Sequence, residues 1–132
     1  MSRFTPAEIA FLESQRLGRL ATVGESGELH VVPVRFHYDP ARDGIDVTGR
    51  FLGKSKKYRD VQEDDRVAFV VDGVSAAGGP AGVEVRGSAT AVRTGGDQIT
   101  PGADPEYIRI RPTRIVSWGI DTEPHRPHSR KV

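Results

Sequence analysis

Two apolar runs joined by a very short turn do most to restrict the fold. Residues 19–23 (RLATV) lead into Gly24-Glu25-Ser26-Gly27, and residues 29–38 (LHVVPVRFHY) follow. So tight a connection joins antiparallel neighbours, which predicts a hairpin. The pattern continues downstream. Asp39-Pro40-Ala41-Arg42-Asp43-Gly44 is a turn cluster before a third strand at 45–48. Residues 67–71 are a continuous apolar run, and 83–92 (VEVRGSATAV) alternate, with Gly87 placed as a bulge. Residues 107–111 alternate weakly, and 114–120 (RIVSWGI) read as the last strand. Loops are expected at 72–82 and 94–104. About six or seven short strands linked by turns predict an antiparallel sheet closed, or nearly closed, to remove its edges. The 132 residues make one domain with a real core, and 15 glycines with 9 prolines suit strands and turns better than a helical bundle.

Two helices announce their starts. Thr5-Pro6-Ala7-Glu8 is a capping box with proline at the first helical position, and Phe4 and Ile9 are placed to staple it. Ile9, Leu12 and Leu17 form a partial apolar stripe with Phe11 beside it, and Gly18 is expected to stop the helix. The second helix spans roughly 55–63, with Tyr58 and Val61 inward.

Chemistry concentrates in residues 48–71, TGRFLGKSKKYRDVQEDDRVAFVV. Thr48 ends a strand, Gly49 and Gly53 flank Arg50, and Lys54, Lys56, Lys57 and Arg59 follow. Ser55 stands where the helix begins. A loop feeding a helix N-terminus offers unpaired N–H groups and partial positive charge, which suits phosphate. The residues alone leave two readings open: a seat for the phosphate of a cofactor, or a solvated basic helix face. Ser55 can be a phosphate contact, an N-cap, or both. Pro33 cannot donate to a ladder, so it marks an edge, a bulge or a break, and leaves backbone near Val32 and Val34 open to a ligand. Trp118 either closes a pocket or sits in the core.

Other function classes find less support. A net charge of +1 without an aromatic-basic stripe gives no pull toward nucleic acid, and no stretch approaches membrane-spanning length. There is no cysteine and no apolar leader, so a cytoplasmic location is expected. His30 and His37 read as ordinary strand residues, and His125 and His128 lack the companions a metal site needs, so no metal is expected. The Pro, His, Arg and Lys composition of 122–132 reads as a disordered tail beyond a domain of residues 1–121.

The ordered set GRLATV, HVVPVRF, SKKYRDV, DDRVAFVV, VEVRGSA and RIVSWGID resembles the pyridoxamine 5′-phosphate oxidase-like split β-barrel flavoproteins. Within them it is most similar to the actinobacterial branch that uses coenzyme F420, a 5-deazaflavin. The resemblance spans about residues 5–121. It implies a mainly β split barrel and a homodimer with cofactor at the interface. The family's Ser-x-Lys phosphate motif falls on Ser55 and Lys57, with Lys56 where arginine is often found. The strand-end threonine falls on Thr48, and Gly49, Arg50 and Lys54 belong to the same basic turn. The strand along the ring falls on Val32, Pro33 and Val34, and the Ser-Trp-Gly ending on Ser117, Trp118 and Gly119. Asp64-Asp65 replaces the usual Asn-Pro, and the Arg-x-His motif of the vitamin-forming oxidase has no counterpart, so formation of pyridoxal phosphate is not expected. The implied activity is hydride transfer between F420 and a small organic substrate. The alternatives are FMN chemistry on the same fold, or a barrel that binds F420, FMN or haem without turnover. The only acid–base candidates are His37, Tyr38 and Tyr107.

Overall fold

The computed structural model describes residues 1–120 and 125–132. Helix α1 (Pro6–Ser14) begins as its sequence demands. The Thr5 hydroxyl accepts from the Glu8 N–H at 3.1 Å, and the Glu8 carboxylate accepts from the Thr5 N–H at 2.8 Å. Its end differs from expectation. The helix stops at Ser14, and Leu17 and Gly18 open strand β1 (Leu17–Val23). Gly18 is there for packing: a Cβ would lie 2.3 Å from the Phe69 ring.

Strand β1 pairs with β2 (Leu29–Asp39) from Leu17↔Arg35 to Val23↔Leu29 around the expected turn, where Gly27 takes φ +83°. Pro33 does not break β2; it sits opposite Arg19 in a continuous ladder. Strand β3 (Gly44–Thr48) reaches β2 only from Arg35 to Asp39. Residues 29–34 therefore border β1 alone, and proline is tolerated on such an edge.

Strands β4 (Arg66–Val74), β5 (Pro80–Val92), β6 (Tyr107–Trp118) and β7 (His128–Lys131) complete a sheet of order β3-β2-β1-β4-β5-β6-β7. Pairing of β3 with β6, from Ile45↔Ile110 to Val47↔Ile108, closes six strands into an antiparallel barrel and leaves β7 outside the closure. The two expected segments 107–111 and 114–120 are one strand. The register shift at Arg86/Gly87, opposite Pro112, absorbs the irregularity that hides this in sequence. The extra residue is Thr113 of β6, not Gly87 as expected; Gly87 faces the bulge, and a Cβ there would meet the Arg111 carbonyl at 2.0 Å. The loop expected at 72–82 is shorter, because β4 and β5 extend to within five residues of each other, at Val74 and Pro80.

Leu20, Ile45, Val47, Phe69, Ile108 and Ile115 are buried inside the barrel. Helix α2 (Lys56–Glu63) plugs one end with Tyr58 and Val61, and a one-turn helix α3 (Gly96–Ile99) lies in the β5–β6 connection. The expectation of a disordered tail is corrected at 128–131. There β7 pairs with β6, Ser117↔His128 through Arg114↔Lys131. The Arg130 guanidinium also grips both oxygens of buried Glu8 and donates to the Arg3 carbonyl at 2.7 Å. A backbone ladder and one buried ion pair need no apolar residues, so composition does not reveal them. The part of the expected tail at 122–124 lies outside the described residues, as does Asp121. No helix among the described residues is long and apolar enough to cross a membrane.

Candidate functional site

Strand β3 ends at Thr48, which pairs with Arg35 of β2 and shares a 2.8 Å hydroxyl hydrogen bond with Thr100. The turn beyond it is tied to the β5–β6 connection. The Gly49 carbonyl accepts from the Asp104 N–H at 2.9 Å, and the Asp104 carboxylate accepts from the Gly53 N–H at 3.2 Å. Arg35, Gly49, Arg50 and residues 100–103 surround a cleft of about 110 Å³. A 3-10 turn (Leu52–Lys54) then delivers Ser55 to the start of α2. Ser55 is an N-cap: its hydroxyl accepts from the Tyr58 N–H at 3.3 Å and donates to the Leu52 carbonyl at 2.6 Å.

The structure separates the lysines that look equivalent in sequence. The Lys56 ammonium lies 3.4 Å from Asp60 and 3.9 Å from Glu28, so its charge is already balanced. Lys57 is half-buried and has no carboxylate partner among the described residues. Its burial pulls its pKa below the usual lysine value. Lys54, Arg50 and Arg35 are exposed and likewise make no ion pair among the described residues.

Next to this corner runs the open edge of β2. Val32 is 38% exposed and Pro33 is exposed, whereas the Val34 side chain is 5% exposed and faces the core. At Val34 only the backbone can serve a ligand. Thr48, Gly49, Arg50, Lys54, Ser55 and Lys57 follow one another from the end of β3 into α2, and Thr48 meets β2 at Arg35, beside the 32–34 edge. Trp118 does not join them. It packs over Gly82, where a Cβ would meet its ring at 2.2 Å, at the far end of β6 from Ile108, the partner of Val47. Ten residues of strand, up to about 33 Å along its path, separate the two.

The expected acid–base candidates are engaged by other groups. The Tyr38 hydroxyl donates to Asp43 at 2.7 Å against the α1 end of the barrel, and burial raises its pKa. The Tyr107 oxygen accepts from Arg109 at 2.7 Å, and His37 pairs across β3 with Asp46. Asp46 is buried on the outer side of β3. Burial pushes its pKa up to about 6, Asp39 adds repulsion, and Arg109, His37 and Arg42 oppose the rise. Among the described residues its Oδ1 and the Arg109 Nε have no hydrogen-bond partner.

A cluster the sequence reading passes over sits beside the β2 edge. Asp60 of α2, 3% exposed, accepts from Thr22 of β1 at 2.7 Å and lies 2.9 Å from His30 Nδ1 of β2. The signal was faint: an aspartate beside Val61 on a helix that packs inward, and a histidine two residues before Val32. Among the described residues no group of three or more His, Asp or Glu could hold a metal ion.

A half-buried ammonium without an acidic neighbour fits an anionic group, and an exposed Val-Pro edge beside it fits a flat aromatic ring. The residues present therefore suit a coenzyme that combines the two.

Known proteins share this architecture. The profile of the pyridoxamine 5′-phosphate oxidase family matches residues 4–119. A 5a,11a-dehydrotetracycline/5a,11a-dehydrooxytetracycline reductase of Streptomyces rimosus is 49% identical over 120 residues, covering 89% of this chain and 84% of the relative. A putative pyridoxamine 5′-phosphate oxidase from Corynebacterium glutamicum superposes with a TM-score of 0.62 at 28% identity, over 83% of this chain and 84% of the other. An FAD-binding protein from Mesorhizobium loti has the same fold, with a TM-score of 0.62 at 22% identity over 82% and 86% of the two chains. With its barrel, its strand order and its sequence all in agreement, this chain belongs to the pyridoxamine 5′-phosphate oxidase family of oxidoreductases.

Proposed function

We propose that the protein is a coenzyme F420-dependent reductase acting on a small conjugated carbonyl compound. The observation that carries this reading is Lys57: half-buried, without a carboxylate partner among the described residues, in the first turn of α2 directly after the Ser55 cap. Lys57 would take the phosphodiester of the coenzyme tail by a charge-assisted hydrogen bond, with Lys54 and Arg50 as outer cations. The deazaflavin ring would lie along Val32, Pro33 and the backbone of Val34. The coenzyme supplies a hydride when reduced; the chain supplies position, dryness and charge. The substrate class follows the Streptomyces relative, whose name describes reduction of dehydrotetracyclines.

The reading includes a homodimer. The outward face of β1 and β2 carries Leu17, Leu29 and Val31 at 49%, 79% and 67% exposure. Exposed aliphatic side chains grouped on a sheet face support burial against a second copy. That second copy could bring its own Trp118 end to the cofactor.

Titration of the purified protein with F420 and with FMN tests the cofactor. Micromolar or tighter binding of F420, and oxidation of reduced F420 by 5a,11a-dehydrotetracycline, are the expected results. An FMN chromophore that F420 cannot displace would transfer the reading to flavin chemistry on the same site. Binding without turnover across enones and quinones would make the barrel a carrier.

A further inference from the structure

We propose that His30, held by Asp60, is the proton-exchanging residue of the site, and that its Nε2 delivers the proton that accompanies hydride addition to the substrate. The proposal rests on the F420 reductase reading above.

Three elements converge on Asp60. Thr22 of β1 and His30 of β2 reach its Oδ2 at 2.7 and 2.9 Å, and Lys56 of α2 reaches Oδ1 at 3.4 Å. Burial works to raise the Asp60 pKa, but the hydrogen bonds from Thr22 and His30 and the charge of Lys56 hold it below the usual carboxylate value. Asp60 is therefore ionised at neutral pH and only accepts. That settles the ring: Nδ1 carries a hydrogen and donates it to Asp60, so Nε2 is the atom that gains and loses a proton.

The ring is seated as well as oriented. Gly24 leaves room for it, because a Cβ there would lie 2.8 Å from His30 Cε1. Asp60 is 3% exposed, but the His30 side chain keeps 30% of its surface, and Nε2 has no hydrogen-bond partner among the described residues. The charged groups around it are Asp60 and Lys56 from α2 and Glu28 from the start of the returning strand, with Glu28 3.9 Å from Lys56. His30 precedes Val32 by two residues, which puts both on one strand face. It also meets α2 at Asp60, one turn beyond Lys56. It stands between the edge assigned to the ring and the helix start assigned to the tail.

The chemistry balances as follows. The acceptor is a carbon–carbon double bond conjugated to a carbonyl. A hydride from the reduced coenzyme adds at the β-carbon, and the π electron pair moves toward the carbonyl oxygen. The Nε2–H bond of the imidazolium breaks, and its proton joins that oxygen or the α-carbon. The imidazole regains a proton from water. The substrate gains two electrons and two hydrogens, matched by two-electron oxidation of the coenzyme.

His30→Asn is the test. Its amide nitrogen can replace the Nδ1–H donor to Asp60, but nothing replaces Nε2. The variant should melt like wild type and bind reduced F420 within about threefold. Its kcat with 5a,11a-dehydrotetracycline should fall about a hundredfold, and the pH-dependent limb of kcat should vanish. Nitrogen NMR of the coenzyme-free wild type should show hydrogen on His30 Nδ1. Wild type and variant with equal kcat and the same pH profile would overturn the role of His30 and leave the F420 reading intact. So would an Nδ1 without hydrogen; a wild type that binds F420 and leaves this acceptor unreduced would overturn the reductase reading and this proposal together. A wild type that fails to bind F420 would instead overturn the parent reading, and this one with it.

Discussion

Replacing Lys57 by methionine should move two measurements in opposite directions. In the protein alone, the Lys57 ammonium is partly desolvated and unpaired among the described residues, and its burial disfavours the charged form. Methionine keeps the stem and discards the charge. The coenzyme-free variant should therefore be more stable, by about 0.5–1 kcal/mol, as expected where a site holds strain for function. With coenzyme the sign reverses. A hydrogen bond from lysine to an ionised phosphate contributes about 1.5–3 kcal/mol. At about 1.4 kcal/mol per tenfold, the dissociation constant for F420 should weaken roughly 10- to 150-fold. Thermal melts with and without saturating F420, with a fluorescence titration, read both effects. The wild type gains more from ligand, and the variant gains more from its absence. A dissociation constant within twofold of wild type, in a variant that melts normally, would return Lys57 to a solvated surface role.

Asp46→Asn tests the buried carboxylate on β3. The folded protein raises this group from 3.8 to about 6, so it holds its proton more tightly than the unfolded chain. Wild-type stability should fall as pH rises from about 4 to about 6 and stay lower above that. The shift corresponds to about 3 kcal/mol, so the variant should be more stable by up to that amount near pH 7 and indistinguishable below about pH 4. Parallel urea-denaturation curves for the two proteins at both pH values would contradict this. Arg130→Ala should cost about 3 kcal/mol at neutral pH by stranding buried Glu8. Burial pushes Glu8 up, but Arg130, Ser117 and Thr5 hold its pKa below 4.5. That contribution is present above the unfolded value and should disappear as pH falls through the folded one; a variant as stable as wild type would mean that β7 is not docked. Val31→Lys places a charge on the apolar outer face of β2. Light scattering should show a dimer becoming a monomer, and a monomeric wild type would remove the proposed interface.

What the chain declares locally, the fold repeats. The capping box of α1, the turn at Gly24–Gly27 and the Ser55 cap depend on neighbours a few residues apart. Misreadings arise where the decisive partner is distant. Gly18 looks like a helix stop, but it makes room for Phe69. Strand β7 looks like a tail because its polar residues carry no apolar pattern and its ion-pair partner, Glu8, lies at the other end of the chain. The basic turn is visible in sequence, and Lys56 has Asp60 one helical turn on, but its second carboxylate, Glu28, arrives from another hairpin. His30 looks ordinary for the same reason: Asp60 lies 30 residues away.

The most direct measurement is a crystal structure of the protein with F420 bound. The phosphate of the coenzyme should lie within hydrogen-bond reach of Lys57 Nζ, with the deazaflavin ring against Val32 and Pro33. A coenzyme bound elsewhere, with the junction of β3 and α2 open to bulk solvent, would contradict the account.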